Sequence, residues 1–153
     1  MQMIVVVAFM LVLPIISIVQ DVATGTTELV ASIGKWFVFW GVGWRLVAAG
    51  GHQLIRPSFT AKDIFEIKDP DATKLVFEIG FGNLALGIPA IASAYVPEWV
   101  PALALAGAIF YSLAGIQHIR NKASTRGEVA AMVSNIGLAA VLIFYLLWLF
   151  LLA

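Results

Sequence analysis

The chain has 153 residues, of which 61% are hydrophobic and only 12% are charged, and its formal net charge is zero. Soluble domains are about 25% charged, so this composition predicts an all-α integral membrane protein with a single domain over residues 1–153. The absence of cysteine excludes disulfides and thiolate metal sites, and the scattered Lys and Arg residues argue against a nucleic-acid partner.

Five segments are long and apolar enough to span a bilayer, since a spanning helix needs about 17–25 residues. They cover about residues 3–19, 33–55, 72–95, 99–118 and 129–152. The first has no positively charged start and a poor cleavage site, so we expect a retained helix rather than a signal peptide. The sequence therefore predicts a membrane bundle of four to five transmembrane helices, and the alternative to five spans is a four-helix core with a peripheral first helix.

The basic residues are distributed unevenly between the two sides that five spans create. Seven of them fall in or beside the loops 56–74 and 119–128, whereas the other side has only Lys35. Cytoplasmic loops are enriched in Lys and Arg. We therefore expect the N-terminus in the cytoplasm and the C-terminus outside the cell.

The loop between the second and third spans contains its own helix signal. Thr60 is a candidate N-cap, and Asp63 follows three residues later as in a capping box. This pattern predicts a short interfacial helix over 61–68. Asp69 and Pro70 then match the N-cap and first position of the third spanning helix.

The fifth span has the clearest start signal in the chain. Thr125 and Glu128 have the spacing of a capping box, in which the hydroxyl and the carboxylate each accept a hydrogen bond from the backbone N–H of the other residue. We expect the fifth helix to begin directly after Thr125.

Arg45 is the only fixed charge between Lys35 and Arg56. It lies roughly 16 Å along a helix from Arg56, close to the centre of a hydrocarbon core about 30 Å thick. A charge facing lipid there would cost roughly 3 kcal/mol. We therefore expect Arg45 to face protein or water.

The third span supplies a candidate partner for this charge. Glu78 is followed at i+4 and i+7 by Gly82 and Ala85, and such small-residue faces let helices approach closely in a membrane. The second and third spans are expected to be antiparallel neighbours because a cytoplasmic loop joins them. We predict that Arg45 pairs with Glu78, with His52 beside them.

Further polar residues fall in the cytoplasmic half or the midplane of the predicted spans: Gln53, Asn83, Gln117, His118 and Asn135. Together with Arg45, His52 and Glu78 they predict a polar cluster around a cavity that opens to the cytoplasm. Two alternatives use the same residues. His52, Glu78 and His118 are a candidate metal site of two His and one carboxylate, and His52 with His118 are candidate axial haem ligands; no cofactor follows from either.

Two stretches carry a resemblance to a known family: "KWFVFWGVGWRLVAAGGHQLIRPSFTAKDIF" over 35–65 and "FEIGFGNLALG" over 77–87. They resemble a prokaryotic family of small multi-pass membrane proteins catalogued as a domain of unknown function. His52 departs from the family pattern, in which a basic residue such as Arg is common. More distantly, the layout is similar to that of DoxX-like four-helix membrane proteins. The resemblance implies a helical fold in a prokaryotic inner membrane and no activity.

Three classes of function stay open at this point. The first is binding or transport of a small amphipathic or anionic molecule at Arg45. The second is a structural or accessory subunit, in which the Arg45–Glu78 pair only fixes helix packing. The third, an enzyme that uses Glu78 and His52 for proton transfer, ranks last because no catalytic motif is present. The expected partners are the lipid bilayer, such a ligand and further copies of the chain in a homo-oligomer.

Overall fold

The first half of the chain forms two long helices and one short helix, numbered here in chain order. The computed structural model describes residues 2–64, 67–123 and 125–152. Helix α1 covers 2–23, with a π-helical turn at Ala8–Val12, and helix α2 covers 29–55, with a π-helical segment at Phe37–Trp44. The short helix α3 consists of Pro57–Phe59 and the π-helical turn Thr60–Ile64.

The second half of the chain forms three uninterrupted helices. They are α4 (Ala72–Ala92), α5 (Val100–Arg120), which follows the 3-10 turn Pro97–Trp99, and α6 (Arg126–Leu151). In the part of the chain that the structure describes there is no strand. Three segments, Ala72–Ala92, Pro97–Arg120 and Arg126–Leu151, are long and apolar enough to cross a membrane.

The start of α6 confirms its predicted capping box. The backbone N–H of Glu128 donates to Thr125 Oγ1 at 3.2 Å, and the backbone N–H of Thr125 donates to Glu128 Oε2 at 2.9 Å. These two bonds satisfy donors that the first turn of a helix otherwise leaves unpaired.

The short helix predicted in the 56–74 loop begins at a different residue in the structure. The helix begins at Pro57 rather than Ala61, because proline is pre-organised for the first position of a helix. Thr60 is therefore inside the helical segment, 2% exposed, and its hydroxyl has no hydrogen-bond partner among the described residues. The predicted end at residue 68 is also wrong, because residues 67–68 are not helical. Residues 65–66 lie outside the described residues.

Helix α4 begins slightly later than predicted. Asp69 does not cap the helix itself; its Oδ1 accepts the backbone N–H of Asp71 at 2.8 Å, which fixes a turn. The helix then starts at Ala72 rather than Pro70. A difference of two residues is the usual uncertainty of a helix boundary.

Helix α2 is the central element of the bundle and packs against α1, α4, α5 and α6. Its contact with α4 depends on two facing pairs of glycines, Gly43 with Gly87 and Gly50 with Gly80. A Cβ on Gly87 would lie 2.9 Å from the Gly43 carbonyl oxygen, and a Cβ on Gly50 would lie 2.9 Å from the Gly80 carbonyl oxygen. The two backbones are therefore in direct contact, as small residues allow in membrane-type packing.

The contact of α2 with α5 and α6 forms the apolar core. Val38, Val42 and Leu142 are 0% exposed there. Gly107 on α5 lies against Val42, since an added Cβ would meet Val42 Cγ2 at 2.6 Å. These side chains and the missing Cβ of Gly107 let α2, α5 and α6 pack closely at this level.

Candidate functional site

The Arg45 centre consists of three residues from three helices: Arg45 on α2, Tyr111 on α5 and Asn135 on α6. Arg45 Nη2 donates a hydrogen bond to Asn135 Oδ1 at 3.0 Å. The guanidinium carbon lies 4.9 Å from the centroid of the Tyr111 ring, within the range of a cation–π contact. Arg45 is half-buried, whereas Asn135 is 5% exposed and Tyr111 is 0% exposed.

Tyr111 is fixed in place by its own hydrogen bond. Its hydroxyl donates to the backbone carbonyl of Gly41 at 2.8 Å, inside the π-helical segment of α2. The bond satisfies the buried hydroxyl and holds the ring face toward Arg45. Tyr111 was not predicted to belong to the polar cluster, because a tyrosine within an apolar span gives no sequence signal that it contacts Arg45.

The predicted pair between Arg45 and Glu78 is wrong. Glu78 lies on the exposed face of α4, and the facing of Gly50 with Gly80 places it level with about residue 52 of α2. At 1.5 Å per residue, this separates Glu78 from Arg45 by roughly 10 Å along the helix axis. Among the described residues, no carboxylate forms an ion pair with Arg45.

A second polar contact joins α2 to α4. Asn83 Nδ2 donates to Gln53 Oε1 at 2.8 Å, and Asn83 is 6% exposed. Both residues belong to the predicted polar cluster, but their partners are each other and not Arg45. The bond lies beside the Gly50–Gly80 contact and fixes the register of the two helices.

The remaining predicted cluster residues lie apart from the Arg45 centre. The His52 ring packs edge-on against Phe59 at 5.5 Å. Gln117 is exposed and donates to Asn121 Oδ1 at 3.3 Å near the end of α5, and His118 is half-buried one residue later. The described residues include no group of three His, Asp or Glu side chains that could hold a metal ion, so His52, Glu78 and His118 do not assemble.

Arg45 lines neither of two clefts that lie elsewhere in the bundle, and the polar cavity expected at this position stays a prediction. One is an open aromatic groove of about 560 Å³ between α1 and α2, lined by residues that include Phe9, Trp40 and Trp44. The other, of about 230 Å³, includes Lys35 and Tyr145 in its lining and lies at the end of the bundle where the α1–α2 and α4–α5 connections meet.

A polar cluster that the sequence analysis missed ties α1 to α2. Asp21 Oδ2 accepts hydrogen bonds from Trp36 Nε1 at 2.7 Å and from Ser32 Oγ and Lys35 Nζ at 3.3 Å each. The charge of Lys35 and the three hydrogen bonds favour the ionised form of the Asp21 carboxyl group.

Comparison with known proteins places the chain in a family. No curated protein and no solved structure matches it. The distant likeness to DoxX-like proteins and the prokaryotic source stay predictions. A family model matches residues 1–153, and the chain therefore belongs to the family of unknown function DUF6790.

Proposed function

We propose that this protein is a multi-pass membrane protein that binds the anionic group of a small or amphipathic molecule at the Arg45 centre. One observation carries the proposal: in the described part of the chain, the Arg45 guanidinium has no carboxylate partner. Its protein contacts are the neutral side chains of Asn135 and Tyr111.

A half-buried Arg45 charge without a counter-ion costs free energy. Placing an ionisable group within a membrane span costs free energy, so such a group usually indicates a functional site. The guanidinium has five N–H donors, and Asn135 accepts from one of its nitrogens. An anion at Arg45 would neutralise the charge and use the remaining donors in charge-assisted hydrogen bonds.

The membrane setting is part of the proposal. The membrane location is supported by three helices that are long and apolar enough to cross a membrane. We include α1 and α2 as further spans because each is a continuous helix about as long as these three. The excess of Lys and Arg in the loops 56–74 and 119–128 supports a cytoplasmic N-terminus.

The orientation is tested by labelling single cysteines in the naturally cysteine-free chain. Asn121→Cys and Thr26→Cys place a thiol at exposed positions at opposite ends of the bundle. We expect a membrane-impermeant maleimide added to intact cells to label Thr26→Cys only. Labelling of Asn121→Cys instead would show that the orientation is the reverse of the proposed one.

The ligand is tested by native mass spectrometry of protein purified in a mild neutral detergent. We expect wild-type protein to retain a bound anionic molecule and Arg45→Gln to lose it, because glutamine keeps a polar group but removes the charge. Glu78→Gln is the matched control, since Glu78 is exposed and lies away from Arg45, and it should retain the molecule. Equal retention by Arg45→Gln would contradict the proposal.

A second candidate function is a structural or accessory subunit without a ligand. The Gly43–Gly87 and Gly50–Gly80 contacts favour it, together with the Gln53–Asn83 hydrogen bond, since these interactions only fix the packing of helices. On this alternative, wild-type protein carries no bound anion.

A further inference from the structure

The cleft at the end of the bundle has the features of a second binding site, separate from the Arg45 centre. This cleft, called the Tyr145 cleft here, has a volume of about 230 Å³ and is lined by residues that include Thr27, Lys35, Ser93 and Tyr145. At about 30 Å³ per water molecule, it holds the volume of seven to eight waters. Its size therefore suits a small polar group rather than a large ligand.

The polar groups that line the cleft have hydrogen-bonding capacity that the described protein residues do not satisfy. Tyr145 is 6% exposed as a whole residue, but its hydroxyl oxygen is not among the buried polar atoms without a partner, and it forms no hydrogen bond with any described residue. The hydroxyl therefore reaches the surface of the cleft, where it can donate to a ligand. The Thr27 hydroxyl likewise makes no bond within the described chain. Ser93 Oγ donates to the Ala90 carbonyl at 2.8 Å and keeps its lone pairs free to accept.

The Lys35 ammonium adds a positive charge beside these hydroxyls. Its distance to Asp21 Oδ2 is 3.3 Å, longer than the 2.7–2.9 Å typical of a charge-assisted hydrogen bond. Asp21 has its shortest bond from Trp36 instead, at 2.7 Å. Lys35 has three N–H donors, so it can bind an anion while it stays near Asp21.

The position of the cleft separates it from the Arg45 centre. Lys35 and Arg45 are ten residues apart on α2, roughly 15 Å along the axis. The level between them is filled by Val38, Val42 and Leu142, which are 0% exposed. A ligand in one site therefore does not reach the other.

We infer that the Tyr145 cleft binds a phosphate-type oxoanion, through the Lys35 ammonium and the hydroxyls of Tyr145 and Thr27. Three side chains with N–H or O–H donors line this one small cleft, and such donors bind the acceptor oxygens of an oxoanion. The phosphate is either a free anion or the headgroup of a lipid at this end of the bundle.

The test uses full-length protein with the Arg45→Gln change, so that the Arg45 centre does not contribute. Inorganic phosphate is titrated against this protein in neutral detergent, and binding is followed by ³¹P NMR. Tyr145→Phe keeps the ring that packs on Gly34 and removes only the hydroxyl. We expect it to weaken binding about tenfold, the effect of one hydrogen bond to a charged group. Thr27→Val should act in the same direction, and Lys35→Gln should abolish binding.

The matched control is Tyr95→Phe, which removes the hydroxyl of a tyrosine that is 86% exposed and does not line the cleft; affinity should not change. A parallel arm measures the Tm of the same variants in nanodiscs of phosphatidylglycerol and of phosphatidylcholine. A higher Tm in phosphatidylglycerol than in phosphatidylcholine would identify a lipid headgroup as the source of the phosphate, provided that Lys35→Gln and Tyr145→Phe abolish the difference. If neither free phosphate nor phosphatidylglycerol gives an effect that depends on Lys35 and Tyr145, the inference is wrong.

Discussion

Replacement of Gly87 by leucine is expected to destabilise the protein by about 3 kcal/mol, the upper end of the usual cost of overpacking. The first atom of the new side chain would lie 2.9 Å from the Gly43 carbonyl oxygen and 3.0 Å from the Val47 backbone nitrogen. Because both neighbours are backbone atoms, they cannot move aside without displacing α2. The change should therefore separate α4 from α2 or prevent folding.

The matched control is Gly82→Leu on the same helix. Gly82 is exposed, and an added Cβ would have no neighbour within 4 Å, so this variant should melt within a few degrees of wild type. The measurement is thermal unfolding in neutral detergent, followed by circular dichroism. Equal losses in Gly87→Leu and Gly82→Leu would show that α4 does not meet α2 through the Gly43–Gly87 contact.

The helices themselves could be predicted well from the sequence. Each of the five apolar segments is helical, with ends within about four residues of the expected positions, because a long apolar run has few other ways to satisfy its backbone in a membrane. The capping box at Thr125 was equally clear, since it depends only on two residues three positions apart.

The choice of the contacting face could not be predicted. Helix α4 has two stripes of small residues, one with Gly82 and Ala85 and one with Gly80 and Gly87. The prediction chose the first because Glu78 belongs to it, whereas the structure packs the second against α2. Sequence periodicity gives the angle between two residues of one helix, but not which side of the helix meets a neighbour.

The surroundings of Arg45 were unpredictable for a related reason. The segment Phe37–Trp44 before it is π-helical, and i→i+5 hydrogen bonding changes the angle between successive residues. A helical wheel of 3.6 residues per turn therefore gives a wrong direction for the Arg45 side chain relative to the residues before Phe37. Asn135 was identified as part of the polar cluster, but its contact with Arg45 depends on how α6 packs against α2.

The second large effect is expected at Asn135. Replacement of Asn135 by aspartate keeps the shape of the side chain and puts a carboxylate oxygen in the place of the amide oxygen that lies 3.0 Å from Arg45 Nη2. If Arg45 lacks a counter-ion, this change should stabilise ligand-free protein by about 1 kcal/mol or more, the gain from a neutral to a charge-assisted hydrogen bond. It should raise the Tm accordingly.

The control is the same chemical change at a site without a cation. Asn83 is 6% exposed and bonded to the neutral Gln53, so Asn83→Asp buries an uncompensated carboxylate and should cost roughly 3 kcal/mol. If Asn135→Asp raises the stability and Asn83→Asp lowers it, the gain at Asn135 is due to the neighbouring Arg45. A loss of stability in Asn135→Asp as large as that in Asn83→Asp would mean that Arg45 already has a counter-ion in the folded protein.

The most direct measurement of an anion site at Arg45 is native mass spectrometry of the Asn135→Asp variant beside the wild type, because the variant supplies an internal anion without removing Arg45. We expect wild-type protein to carry a bound anionic molecule. Asn135→Asp should be free of this molecule, and its Tm should be equal to or higher than that of ligand-free wild type. A wild-type protein without a bound molecule, or the same bound mass in both proteins, would contradict an anion site at Arg45.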